Sequence, residues 1–285
     1  MKRISFLFCG LFSFFCFMGC DPKWDFTTDY VPQVVVEGSI ESNGFACVYL
    51  SYSKALESTW DSLSVSEIPL TTAKVTVSDG ERTEILTGRR DKYRLPYFVY
   101  TGNTLRGVPG KSYTLCVTHR GQKITATTSI PIPVGIDSFS IRQSENSDTL
   151  YQVTAYFHDP EERSNYYKIF TRVYERDSTY YNAFMGTFSD EILSSPVAEA
   201  SIYRPFRHTE LKKYTPFFTP GGQVGIKFTQ VTEEVFQYWN KYENEVVNNS
   251  NPLFPNTSNL PGNIQGGIGI WAGYGVSNYR ILIEK

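Results

Sequence analysis

Few residues in this 285-residue chain have the types and spacing that chemistry needs. The three histidines, His119, His158 and His208, stand far apart. None has a second histidine or a cysteine at the i+2 or i+4 spacing that would aim two side chains at one metal ion. His158-Asp159 has the composition of an acid–base pair, yet it runs into Pro160, a turn context in which Asp commonly accepts bonds from its own backbone. Asp159, Glu161 and Glu162 present hard oxygens of the kind calcium takes, and a solvated acidic turn accounts for the same residues with fewer demands. The sequence has no His-Glu-x-x-His helix, no Gly-x-Ser-x-Gly elbow, no phosphate-binding loop and no cysteine-rich cluster. The expectation is therefore no catalytic residue, no metal and no cofactor, and a protein that is not an enzyme.

Cysteine carries more information. Of the five in the chain, Cys9 and Cys16 lie in an apolar run (residues 4–18) that follows Lys2 and Arg3 and ends at Gly19-Cys20 before Asp21. That order, basic then apolar then small, is the plan of a secretory signal. The run is shorter than the roughly 20 residues that a membrane-spanning helix requires. Phe17-Met18-Gly19-Cys20 resembles the bacterial lipoprotein signal, which implies cleavage after residue 19 and attachment of lipid to Cys20. Two or more acyl chains give stable anchoring, at about 0.8 kcal/mol per buried methylene. Only Cys47 and Cys116 then remain in the folded body. They permit one disulfide, which an exported protein can form if the Cα atoms lie within about 7 Å, and which would contribute on the order of 4 kcal/mol. Two half-buried free thiols are the competing reading.

Loss of Lys2 and Arg3 with the signal leaves 25 basic against 29 acidic side chains, a formal net charge of −4. No clustered basic stripe stands out, so nucleic acid is not an expected partner. Aromatics are plentiful, with 20 Tyr and 20 Phe, and exposed rings bind sugars and peptides by stacking. Trp60, in the polar loop 53–67, and Tyr180, Tyr181, Phe184, Phe217 and Phe218 are the candidates for a recognition surface. The same rings would also serve to cover sandwich edges and pack beneath loops.

The elements that must position these residues are strands. Residues 21–31 are short, charged and unpatterned, which suits a tether. From Gln33 onward Val34, Val36 and Ile40 alternate with Val35, Glu37 and Ser39. Val48, Leu50 and Tyr52 keep that period beyond the Asn43-Gly44 turn, and the two runs predict a hairpin. Further strands read at 74–78, 83–86, 112–119 and 123–130. Ile130-Pro131-Ile132-Pro133 removes two backbone donors and marks a boundary. Beyond it, Tyr151, Val153, Ala155 and Phe157 alternate, and 166–175 reads as a long aromatic strand. Residues 177–222 show no sustained repeat. Val235, Tyr238, Trp239, Tyr242 and Val246 share one helical face over about 232–247, with Thr232 as N-cap and Glu233 and Glu234 at the positive end of the dipole. Two strands, 264–274 and 279–283, close the chain.

These patterns predict an all-β fold of two immunoglobulin-like or related β-sandwich units with one short amphipathic helix near the C-terminus. The expected organisation is signal 1–19, tether 20–31, an N-terminal sandwich 32–133 and a C-terminal β-rich domain 134–285.

Five motifs follow in order: the signal with Cys20; Val34-Val35-Val36-Glu37-Gly38; Gly107-Val108-Pro109-Gly110-Lys111-Ser112-Tyr113; His158-Asp159-Pro160 with Asn165-Tyr166-Tyr167; and Gly262-Asn263-Ile264-Gln265-Gly266-Gly267-Ile268-Gly269. Together they resemble the Bacteroidota lipoprotein family catalogued as domain of unknown function 4249, over nearly the whole mature chain. The resemblance implies an outer-membrane lipoprotein working beside a TonB-dependent nutrient transporter, and it implies no activity and no catalytic residue. Direct capture of a glycan or peptide is the second expectation. A hydrolase with a scattered site is the third.

Overall fold

The computed structural model describes residues 30–54, 69–145, 147–160, 164–192, 197–205, 214–248 and 260–284. The signal, Cys20, most of the tether and Trp60 lie outside them. Residues Pro32–Lys285 form one compact unit.

Among the described residues fifteen strands run in chain order: β1 (Val34–Glu41), β2 (Phe45–Tyr52), β3 (Lys74–Ser78), β4 (Thr83–Ile85), β5 (Thr87–Arg90), β6 (Phe98–Arg106), β7 (Ser112–His119), β8 (Gln122–Ser129), β9 (Ser138–Gln143), β10 (Tyr151–His158), β11 (Tyr166–Val173), β12 (Tyr181–Ser189), β13 (Val197–Ile202), β14 (Gln223–Val231) and β15 (Ile268–Leu282). Among the described residues one helix, α1 (Glu233–Asn248), separates β14 from β15, and a 3-10 turn (Asp190–Ile192) follows β12. Eight strands make one sheet in the order β12-β11-β14-β15-β1-β2-β6-β5. A four-stranded sheet, β4-β3-β7-β8, and a three-stranded sheet, β13-β10-β9, complete the architecture. The all-β, sandwich-like expectation is met.

Period-2 burial explains the layers. On β1, Val34, Val36 and Ile40 turn inward to meet Val75, Val77, Leu115 and Val117 of the four-stranded sheet in a first core. A second core gathers Val153, Ala155 and Phe157 of β10 against Tyr167 and Ile169 of β11 and Ile226 and Phe228 of β14. The first core draws on residues 34–130 plus Trp271, the second on residues 134–283. The opposite face of the large sheet carries α1, where Val235 and Trp239 pack on Ile270, Ala272 and Tyr274.

The strand that joins everything is β15. Its first half pairs in parallel with β1, from Val35↔Ile268 to Glu41↔Tyr274, and its second half pairs antiparallel with β14, from Gln230↔Gly275 to Gln223↔Leu282. The expected break between residues 274 and 279 is absent, because each half of β15 finds a different partner and the chain has no need to turn. At Gly269 φ is +116°, and a Cβ would sit 1.9 Å from the Val36 carbonyl oxygen. Only glycine fits so close to β1.

Other expectations change. The stretch 177–222 is not irregular throughout: it holds β13 and β12, the latter with its period obscured by Gly186 and by Met185 at φ +49°. The sequence reading also passes over β5, β6, β9 and β14. In β6 the alternation is interrupted at Gly102-Asn103, and its register against β2 shifts between Phe45 and Cys47. The Gly107–Tyr113 motif is a corner: the Tyr113 hydroxyl accepts from the Val108 N–H at 2.7 Å and donates to the Arg106 carbonyl at 3.3 Å.

Candidate functional site

Outward-facing residues of the large sheet, on the face that carries α1, floor a cleft of about 490 Å³. Because β1 and β2 alternate, Glu37, Ser39 and Glu41 project outward from β1, with Cys47 and Tyr49 opposite them on β2. β15 adds Ile270 and Tyr274, and β14 adds Lys227. The walls come from three places: Trp239 of α1, the segment 178–182 leading into β12, and Arg89, Asp91, Tyr93 and Arg94 at the β5–β6 connection.

Charge within the cleft is paired internally. Arg94 bonds Glu37 and lies 4.4 Å over the Tyr49 ring. Lys227 Nζ donates to both Glu41 oxygens at 2.6 and 2.8 Å and sits 5.0 Å from the Tyr180 ring centre. The Tyr49 hydroxyl donates to Asp91 Oδ2 at 2.7 Å. Burial opposes ionisation of Asp91, but the bonds from Tyr49 and the Tyr93 N–H, with Arg89 and Arg94 nearby, outweigh it and hold the carboxyl below its usual value. Burial, and then that same bond, push the Tyr49 hydroxyl up. Arg94 loses solvation, yet Glu37 more than compensates and raises its pKa. Burial drives the Cys47 thiol up to about 11 despite Arg94 beside it, so it stays protonated and unreactive at neutral pH. Trp239 donates its Nε1–H to the Tyr274 hydroxyl at 2.8 Å, which fixes the helix to the cleft floor.

The predicted site residues divide. Tyr180 and Tyr181 line the cleft; burial raises the Tyr180 hydroxyl to about 12. Phe184 and Phe217 belong instead to a separate edge-to-face cluster, with Phe184–Tyr203 at 6.2 Å, Phe184–Tyr214 at 5.6 Å and Tyr203–Phe217 at 6.3 Å. Phe218 is 1% exposed inside the second core and forms no part of a surface. Cys47 and Cys116 are free thiols. They sit on β2 and β7, in different sheets of the first sandwich, and each points away from the shared core, so no bridge can span them. Trp60, Cys20, Glu161 and Glu162 lie outside the described residues. Asp159 accepts from the Tyr167 hydroxyl and from Asn165 Nδ2, and His158 Nδ1 meets Asp137 Oδ2 at 2.7 Å on an exposed edge.

The sequence reading missed Glu37, Glu41, Asp91, Arg94 and Lys227. A signal was present: Glu37 and Glu41 stand four apart on the polar face of a valine-rich strand. Its meaning depended on β15 lying beside β1 and on α1 packing over that face, and neither placement is written in local sequence.

Fold and cleft together define an all-β protein of two fused sandwiches with an aromatic, charge-paired cleft on the sheet face that carries α1. Residues 23–280 match the family described as Domain of unknown function (DUF4249), and the chain belongs to it. No curated protein matches the chain.

Proposed function

We propose that this chain is a lipid-tethered, non-enzymatic binding component of the outer membrane, anchored at Cys20 and accessory to a TonB-dependent nutrient transporter. The observation that carries the binding role is the cleft. Seven rings, from Tyr49, Tyr93, Phe170, Tyr180, Tyr181, Trp239 and Tyr274, surround cations and carboxylates that neutralise one another. Such a lining offers stacking surface and hydrogen-bond donors and acceptors, which is what recognition of an extended ligand needs. It offers little to catalysis: Cys47 is held protonated, and Glu37 and Glu41 are engaged by Arg94 and Lys227. The transporter partnership draws on the family resemblance in the sequence.

The test is affinity purification of the full chain from its own membranes after mild crosslinking, alongside a Tyr181→Ala variant of the same thermal stability. A TonB-dependent receptor recovered at near-stoichiometric yield, and reduced by the variant, is the expected result. Recovery of the protein alone would remove the transporter from this reading, leaving direct capture of a glycan or peptide by the cleft.

A further inference from the structure

The register of the first sandwich gathers an unusual set of side chains at one end. Val34 pairs with Tyr52, so β1 begins where β2 finishes. Val48 pairs with Tyr100 and Arg90 with Phe98, which brings the β5–β6 connection, residues 91–97, to that end. In the facing sheet the Tyr52 hydroxyl lies 2.9 Å from His119 Nε2, so the β7–β8 turn at Arg120-Gly121 is there too. Lys74 and Lys123 both pair with Thr118 beside it. The opposite end of β1 is where β15 continues into the second sandwich. Among the described residues the gathered side chains therefore form one tip of the body, away from the second sandwich.

That tip is apolar and basic at once. Tyr93 is 72% exposed, Leu95 55% and Tyr97 45%, within seven residues of one connection. Lys74, Arg90, Lys92, Arg120 and Lys123 are exposed around them. Among the described residues the carboxylates that meet this connection are Asp91, engaged by Tyr49, and Glu37, engaged by Arg94. This runs against a mature chain of net charge −4. Tyr and Leu beside Lys and Arg is the composition that settles in a headgroup layer, with rings and aliphatic carbon at the acyl boundary and cations among the phosphates. The tether leads into this same end at Pro32. Twelve residues from Cys20 to Val31 span at most about 43 Å, so an anchor at Cys20 would keep the tip within reach of the bilayer.

We infer that this tip docks on an anionic membrane surface, with Tyr93, Leu95 and Tyr97 entering the headgroup layer and the surrounding lysines and arginines meeting lipid phosphates. The inference rests on the tethered reading for its membrane, and its chemistry can be tested without the lipid.

The experiment is vesicle flotation of the full chain carrying Cys20→Ser, which removes the acylation site. Phosphatidylcholine vesicles are compared with vesicles containing about a third phosphatidylglycerol. Expected are preferential binding to the anionic vesicles, loss of that binding as salt is raised, and a drop of about tenfold or more in the paired variant Arg90→Glu/Lys92→Glu. Lys111→Glu, an exposed lysine at the opposite end, should change nothing. Circular dichroism melts establish that all variants are folded; the substituted side chains are exposed. Binding that ignores phosphatidylglycerol, or that survives the paired charge reversal, overturns the inference. So does an inert tip on vesicles whose charge reversal instead removes a protein from the crosslinked preparation, which would assign the tip to an acidic partner. Palmitate labelling of the wild type against Cys20→Ser tests the anchor separately, so failure there leaves the vesicle result standing.

Discussion

Two buried charges show how single side chains tune this fold. Lys168 is fully buried between β11 and α1, its Nζ bonded to Glu243, which also accepts from the Thr187 hydroxyl at 2.8 Å. Burial presses the ammonium pKa down and Glu243 pulls against it. Removing one partner should cost more than removing both, because a buried charge without its counterion is the expensive species. Lys168→Met is expected to lose about 3 kcal/mol in urea denaturation, and Lys168→Met/Glu243→Leu to recover most of it. Glu84, 9% exposed, accepts from the N–H groups of Asn103, Thr104 and Leu105 at 2.6, 2.9 and 2.9 Å. Burial raises its pKa, but the three bonds prevail and the folded value lies below the ordinary one. A depressed carboxylate contributes its full stability above the unfolded pKa and loses it as pH falls through the folded pKa. Denaturation of wild type against Glu84→Gln should therefore show a gap that is constant near neutrality and closes below about pH 4.5. Neither role was legible in the sequence. Lys168 and Glu84 read there as polar positions, and what covers them lies 75 residues away in one case and about 20 in the other.

Elements with strictly local signals were read well. The Asn43-Gly44 turn closes the first hairpin with Asn43 at φ +62°, the left-handed conformation that Asn tolerates. Strands β3 and β7 fall at their expected residues because apolar side chains, Val75 and Val77 in one and Tyr113, Leu115 and Val117 in the other, alternate without interruption. The helix is legible for the same reason, with Thr232 at its cap: the Phe236 N–H reaches the Thr232 carbonyl at 2.9 Å, and the Thr232 hydroxyl faces the Val235 N–H at 3.5 Å. Thr232→Ala should cost about 1 kcal/mol, while Thr232→Ser should be close to neutral; thermal melts of the two variants check the pair. Where the period is broken by glycine, as in β6 and β12, the sequence reading lost the strand. The cleft was half legible, since Tyr180 and Tyr181 were flagged by their aromatic density while its charged floor was not singled out.

At the scale of the whole molecule the decisive feature is that two cores share one strand. A reading of the sequence by local hydrophobic runs assigns the last strands to the C-terminal half, yet Trp271 of β15 is buried in the first core, donating its Nε1–H to the Tyr113 carbonyl at 2.9 Å. Parallel pairing of β1 with a strand more than 230 residues later leaves no trace in composition. Its consequence is mechanical: disturbing the β1–β15 ladder should weaken both sandwiches, although only the first contains β1. Gly269→Ala is the sharpest probe, because the added Cβ meets backbone at 1.9 Å at a φ that alanine resists. A loss of about 4 kcal/mol is expected, corresponding to roughly a thousandfold faster amide exchange wherever exchange requires global opening. Hydrogen exchange read by mass spectrometry should show that acceleration in β7 of the first core and equally in β10 of the second. If β10 keeps its protection while β7 loses it, the two sandwiches open independently and β15 merely passes between them.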